Sequence, residues 1–155
     1  MNSNHVNDIY SRRAICYHFT HKLIFRGWDL SWRQTAAWLC PVETGDRVID
    51  ICAGQGHSAI EYIKVWRYLG ADVTITGIDS NERMLDAGKR RVRRYGLENS
   101  VFLEKADAMN MKPGYVPKDM KAYQDDCFDA ALCVFGAGGL ENPKQAFCEM
   151  LRIIK

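Results

Sequence analysis

The chain has 155 residues, the length of one domain with material for a single core. Hydrophobic residues at 47% and charged residues at 26% are ordinary for a soluble globular protein. A formal net charge of +2 argues for neither a nucleic-acid nor a membrane partner, and no apolar run approaches the roughly 20 residues of a membrane helix. The N-terminus, MNSNHVNDIY, lacks the basic and apolar regions of a secretory signal. Six cysteines with no Cys-x-x-Cys pair fit the reduced core thiols of a cytoplasmic protein. Among them, Cys52 and Cys133 are expected in buried strands and Cys148 on a helix.

Residues 1–24 read as loosely helical and end at Gly27. His18 and His21 have no further ligands near them in sequence, so no metal is expected. A helix is predicted over residues 30–40, stopped by Pro41. Trp28, Trp32, Trp38 and Trp66 are expected to pack on the core. The sharper alternative makes residues 1–40 a lid over the rest, with residues 41–155 as the core of one domain.

The stretch VIDICAGQGHSAI, from Val48 to Ile60, carries the strongest signal. Val48, Ile49 and Ile51 form an apolar run typical of a strand buried on both faces. Ala53, Gly54, Gln55 and Gly56 make a glycine turn, and Ala59, Ile60, Ile63 and Trp66 recur at helical spacing. Such a turn lets backbone approach a ligand, and the following helix offers unpaired N–H groups to its anionic parts. Gly54-x-Gly56-x-x-Ala59 alone also fits a strand–helix joint with no ligand. Asp50, placed to accept from an ammonium group, favours an amino-acid-bearing nucleoside over a nicotinamide dinucleotide.

A second strand is predicted over residues 73–78, closing on Asp79, which is placed for ribose hydroxyls. Ser80 is the expected N-cap of a helix over residues 81–95, whose apolar face carries Met84, Leu85 and Val92. The run from Lys89 to Arg94 reads as a solvated face rather than a nucleic-acid site, because nothing aromatic is interleaved. A short third strand covers residues 101–103 and leads to Asp107 and Ala108, where a carboxylate can accept from an exocyclic amine. Residues 112–126 read as a long loop. A fourth strand is predicted over residues 128–135, with Val134 and Phe135 able to flank an adenine face. After the turn Gly136-Ala-Gly-Gly139, Asn142 and Pro143 start a helix whose stripe is Ala146, Phe147, Met150, Leu151 and Ile154. Strands alternating with helices imply a Rossmann-like, doubly wound, mostly parallel α/β sheet with ligands at the strands' carboxyl ends.

From Tyr10 onward this set resembles class I S-adenosylmethionine-dependent methyltransferases, and more narrowly the C-methyltransferases of ubiquinone and menaquinone biosynthesis. The family's N-terminal pattern falls on Tyr10, Ala14, Tyr17-His18, His21, Gly27 and Trp32-Arg33. DICAGQG matches its glycine motif, GIDSNERML its second-strand motif, and Phe128-Asp129 through Arg152 its fourth-strand region without a gap. The resemblance implies S-adenosylmethionine as cofactor. Asp50, Ala53, Gly54, Gln55 and Gly56 would hold its methionine end and Asp79, Ser80 and Met84 its ribose region. Asp107, Ala108, Val134 and Phe135 would surround the adenine. Tyr17 is retained among the family's polar residues near the methyl group; His57, whose imidazole suits neutral pH, is expected as general base, the alternative being a histidine that simply sits at a helix start.

Several positions depart from the family pattern. Gln55 stands for Thr or Ser, His57 for Asp, and Gly138-Gly139 for Arg-Asn. The loop over residues 112–126 is longer than its counterpart, and the chain stops where the family continues with further strands. A C-terminally incomplete sheet in the order 3-2-1-4 is therefore expected. Its fourth strand would have an open edge, covered by a second copy or a missing C-terminal segment. The first functional expectation is methyl transfer to a small aromatic or quinol-like acceptor. A cofactor-binding module or fragment without its own activity is the alternative; a nicotinamide-dependent oxidoreductase comes third, and Asp50 argues against it.

Overall fold

The computed structural model describes residues 28–155. Four strands, β1 (Arg47–Ile51), β2 (Thr74–Asp79), β3 (Val101–Lys105) and β4 (Ala130–Leu132), form one parallel sheet. Their order is β3-β2-β1-β4, as the sequence implies. Among the described residues the helices are α1 (Trp28–Leu39), α2 (His57–Tyr68), α3 (Glu82–Arg94) and α4 (Pro143–Ile153), with a 3-10 turn over Ala137–Gly139. Residues 1–27, which include Tyr10, Ala14, Tyr17, His18 and His21, lie outside the described residues.

Alternation along the strands sends apolar side chains to both faces. Val48 and Ile75 join Ile60, Ile63, Trp66, Leu85 and Val92 beneath α2 and α3. Ile49, Ile51 and Ile78 point the other way, to Met111, Phe128, Ala146 and Ile153 beneath α4. The result is the doubly wound α/β arrangement, with helices on both sides of the sheet. Helix α1 packs on α2: Ala37 is fully buried, and the Trp66 indole donates to the Ala37 carbonyl at 2.9 Å.

Elements differ from expectation in five places. Asn81, not Ser80, caps α3, because Asn81 is extended and its Oδ1 accepts from Met84 N at 3.2 Å. Strand β3 runs on to Lys105, paired with Asp79. Strand β4 is shorter than the apolar run: beyond Leu132 the chain leaves the ladder, and Phe135 takes a left-handed φ of 68°. Trp28, Trp32 and Trp38 are exposed, and only Trp66 enters the core. Helix α4 buries Ala146 and Ile153, which leaves Phe147 and Leu151 outside, while Ile154 lies beyond the helix.

The edge of β4 is also less open than expected. Ile154 bridges Phe128 in parallel, and Lys155 N donates to the Phe128 carbonyl at 2.9 Å. The chain after α4 thus starts to run beside the segment entering β4. The long loop is confirmed, pinned where Lys121 N meets the Lys105 carbonyl and Tyr123 N the Met111 carbonyl, each at 2.7 Å.

Candidate functional site

The glycine turn after β1 is tied to the end of β2. Ala53 N donates to the Ile78 carbonyl at 2.8 Å, and Gly54 N to Asp79 Oδ2 at 2.9 Å. Asp79 Oδ1 accepts from Asn81 N at 2.8 Å, so one carboxylate organises two turns. Burial pushes the Asp79 carboxyl above its ordinary range, and the N–H groups of Asn81 and Gly54 oppose that push. Gly54 and Gly56 have φ of 54° and 69°, a conformation in which a side chain is strained.

Asp50, at the end of β1, is 1% exposed. Burial pushes its carboxyl up to about 8; Cys133 adds to the rise, while the Arg33 guanidinium and an N–H from Ala59 pull the other way. Its Oδ2 atom is buried without a hydrogen-bond partner. Arg33 reaches this region from α1. It is 7% exposed, donates through Nη1 to Ser58 Oγ, and lies 4.8 Å over the Phe135 ring. Trp32 stacks on the same ring at 5.6 Å.

Gln55 and His57 are both held by α3. Gln55 is buried; its Nε2 donates to Met84 Sδ at 3.7 Å, and its Oε1 accepts from Arg91 Nη2 at 3.1 Å. Arg91 Nη1 lies 3.2 Å from His57 Nδ1. A guanidinium can only donate, so Nδ1 is the acceptor and the neutral ring carries its proton on Nε2. Arg91 thus turns inward from a run that reads as solvated, while Lys89, Arg90, Arg93 and Arg94 are exposed as expected.

A cleft of about 130 Å³ opens at the carboxyl ends of β1 and β2. Ala53, Gly54, Gln55, His57, Asp79, Ser80 and Met84 line it, joined by Val134 and Phe135. A second cleft of about 70 Å³ adjoins it, lined by Asp107 and Ala108 and sharing Cys52, Asp79 and Ser80 with the first. The expected adenine neighbours are therefore divided: Asp107 and Ala108 lie on one side, Val134 and Phe135 on the other. Asp107 Oδ1 accepts from Met109 N at 2.9 Å. Among the predicted positions, Asp50 and Gly56 do not line either cleft, and Tyr17 lies outside the described residues.

Sequence reasoning passed over Arg33, Ser58 and Gly136, which line the first cleft, and Arg91 behind it. Arg33 stood within the matched Trp32-Arg33 pair, so a signal for it existed. Arg91 had none, since a charge run does not tell which member faces inward. Cys52 and Cys133 are half-buried rather than core thiols, and Cys148 is exposed. No group of three or more His, Cys, Asp or Glu side chains among the described residues is arranged to hold a metal. None of the described helices is long and apolar enough to cross a membrane.

Residues 1–155 match the ubiE/COQ5 methyltransferase family. The chain belongs to this family. Its curated relatives include a demethylmenaquinone methyltransferase of Lactobacillus johnsonii, 28% identical over 150 residues. That alignment covers 97% of this chain and 56% of the relative. A ubiquinone/menaquinone biosynthesis C-methyltransferase UbiE of Geobacter sulfurreducens is 29% identical, with 97% and 54% covered. The family member described here thus spans about half the length of the curated relatives it matches. Among solved structures, a putative S-adenosyl-L-methionine-dependent methyltransferase of Methanococcus maripaludis shares the fold, with a TM-score of 0.73 at 19% identity. It covers 94% of this chain and 59% of the other. The [4+2]-cyclase SpnF superposes with a TM-score of 0.67 at 26% identity, covering 81% and 41%.

Proposed function

We propose that this chain binds S-adenosylmethionine across the two adjoining clefts and directs methyl transfer to a small aromatic or quinol-like acceptor. The observation that carries this reading is the Asp50 carboxyl, which lies behind the lining of the first cleft rather than in it. Its Oδ2 is buried without a partner, and Arg33 and Asp79, whose charges act on it, both line that cleft. An orphaned carboxylate oxygen fits an amino-acid ammonium, whereas a nicotinamide dinucleotide brings no such cation. The names of the curated relatives agree with this assignment.

In this reading Asp50 would take the ammonium group, the turn from Ala53 to Gly56 would pass over the methionine end, and Asp79 would accept from ribose hydroxyls. Asp107 and Ala108 would meet the adenine in the second cleft, with Ser80 and Met84 between. Val134 and Phe135 then fall near the acceptor instead of the base. When bound, the cofactor supplies a sulfonium methyl group for in-line displacement. The chain's own contribution is alignment of donor and acceptor in the cleft. Phe135, stacked by Trp32 and Arg33, supplies an apolar wall for an aromatic acceptor. With Nδ1 engaged by Arg91, the His57 ring is held in the lining of the first cleft. Taking up a proton on Nδ1 would set two cations together, which weighs against the base role its position suggests.

A second reading has one specific support. SpnF, with the same fold, is a cyclase, so the architecture also serves chemistry other than methyl transfer. Calorimetric titration with S-adenosylhomocysteine and with NAD tests the cofactor assignment, and a labelled-methyl assay with quinol acceptors tests the reaction. Heat with NAD alone would refute the cofactor assignment. Binding of S-adenosylhomocysteine without turnover on any aromatic acceptor would favour the second reading.

A further inference from the structure

Two half-buried thiols meet where β1 and β4 end, and the reading above gives them no role. Cys52 follows β1 with a left-handed φ of 57° and lines both clefts. Cys133 follows β4, which pairs with β1 as far as Asp50 and Leu132. Gly136 lies against both. A Cβ on it would overlap the Cys52 Cβ and stand 3.1 Å from Cys52 Sγ and 3.2 Å from Cys133 Sγ. Only glycine leaves room for the two sulfurs to approach each other there.

Both sulfurs flank Gly136, and their proximity leads in setting both thiols. It holds Cys52 well above the ordinary thiol range; burial adds to that. It holds Cys133 below the range against the opposing effect of burial, and the Gly136 and Ala137 N–H groups help. Cys133 is therefore the more readily ionised of the two sulfurs, the division of labour found in reactive dithiols.

We propose that Cys133 and Cys52 form a dithiol modification site, with Cys133 the nucleophile toward peroxides and Cys52 the resolving thiol. The Cys133 sulfur attacks one peroxide oxygen; the S–O bond forms, the O–O bond breaks, and the departing oxygen leaves as water or alcohol. The Cys52 sulfur then attacks the sulfenic sulfur, forming the S–S bond and releasing the second oxygen as water. Two thiols and one peroxide give one disulfide and two molecules of water when the oxidant is hydrogen peroxide. This inference does not rest on the methyl-transfer reading, because it concerns the two thiols alone.

Limited hydrogen peroxide on the reduced 155-residue chain, followed by peptide mapping with fragment spectra, tests it. The expected product has lost two hydrogens, carries a Cys52–Cys133 cross-link, and reverts with dithiothreitol. In Cys52→Ser, Cys133 should instead be trapped by dimedone as the sulfenic acid. In Cys133→Ser, oxidation of Cys52 should slow by about tenfold or more. A cross-link through Cys127 or Cys148, or no cross-link between Cys52 and Cys133, would overturn the proposal. The map of the unsubstituted chain decides this even if a variant fails to fold.

Discussion

A carboxylate sealed inside a protein with an unbonded oxygen carries a large desolvation cost, and Asp50 responds by holding its proton to about pH 8. The sign of the linkage follows. Its pKa rises from an ordinary 3.8, so between those two values the native chain binds the proton more tightly than the unfolded chain. The stabilisation is complete at low pH and is lost as pH climbs through about 8. Asp50→Asn cannot titrate, so its melting temperature should fall less steeply than the parent's from pH 5 to 8. Parallel pH profiles for the two proteins would show that Asp50 does not dominate this range. An arriving ammonium would favour the ionised form, so S-adenosylhomocysteine binding at pH 7 should release up to about one proton. Calorimetry in buffers of different ionisation enthalpy reads that number, and a value of zero would remove Asp50 from the ligand site. Asp79 is tested by truncation. Asp79→Ala should weaken S-adenosylhomocysteine binding by about 1–3 kcal/mol, the usual loss when a buried hydrogen-bonding partner is removed. Unchanged affinity would place the ribose elsewhere.

The elements around the glycine turn meet at Leu103. Its Cδ atoms occupy the space that side chains would fill at Gly77 of β2 and Gly88 of α3, where an added Cβ would stand 2.6 Å and 2.5 Å away. At Gly88 that Cβ would also press on the Gln55 backbone at 3.0 Å. Helix α3 can therefore lie close against the turn, near enough for Arg91 to reach Gln55 and His57. Gly88→Ala should destabilise the fold by about 1–3 kcal/mol through overpacking. Leu103→Ala alone should cost about 2–5 kcal/mol through the cavity. Combined, they should cost clearly less than their sum, because each relieves the other's fault. Additivity in urea melts would mean that the strain at Gly88 comes from the Gln55 backbone alone. These contacts also show why the sequence was legible only in part. The strands, their order and the Gly54–Asp79 end of the cleft follow from local signals: apolar runs, glycine spacing and a carboxylate at a strand end. The approach of Leu103 to two distant glycines does not, since periodicity gives a face without its partner. Nor does the early end of β4, because a phenylalanine carries no mark of a left-handed φ. The Cys52–Cys133 contact depends on β1 pairing with β4, which no short stretch encodes.

On the scale of the whole molecule, burial is uneven. The β2–β1 centre is sealed on both faces, whereas apolar side chains remain outside along α1 and α4. Trp28 is 66% exposed, Trp38 56% and Leu151 70%, and Phe147 stands beside Leu151 one turn away along α4. Strand β4 contributes three residues to the sheet and pairs only with β1 among the described strands; Ile154 and Lys155 run beside Phe128, below that stretch. The run Ala130 to Val134 carries no charge, so the lysine, proline or inward charge that blunts a free edge is missing from it. An uncharged edge beside an apolar helix face favours contact with another chain. The 155-residue chain is therefore expected to self-associate, with a mass by light scattering that rises with concentration. Leu151→Lys together with Phe147→Glu should lower that mass toward the monomer with little change in melting temperature, because both side chains lie on the outer face of α4. A monodisperse monomer that binds no apolar dye would show that these surfaces are not adhesive. Association unaffected by the double substitution would transfer the contact to the β4 edge, where Leu132→Lys is the matching test.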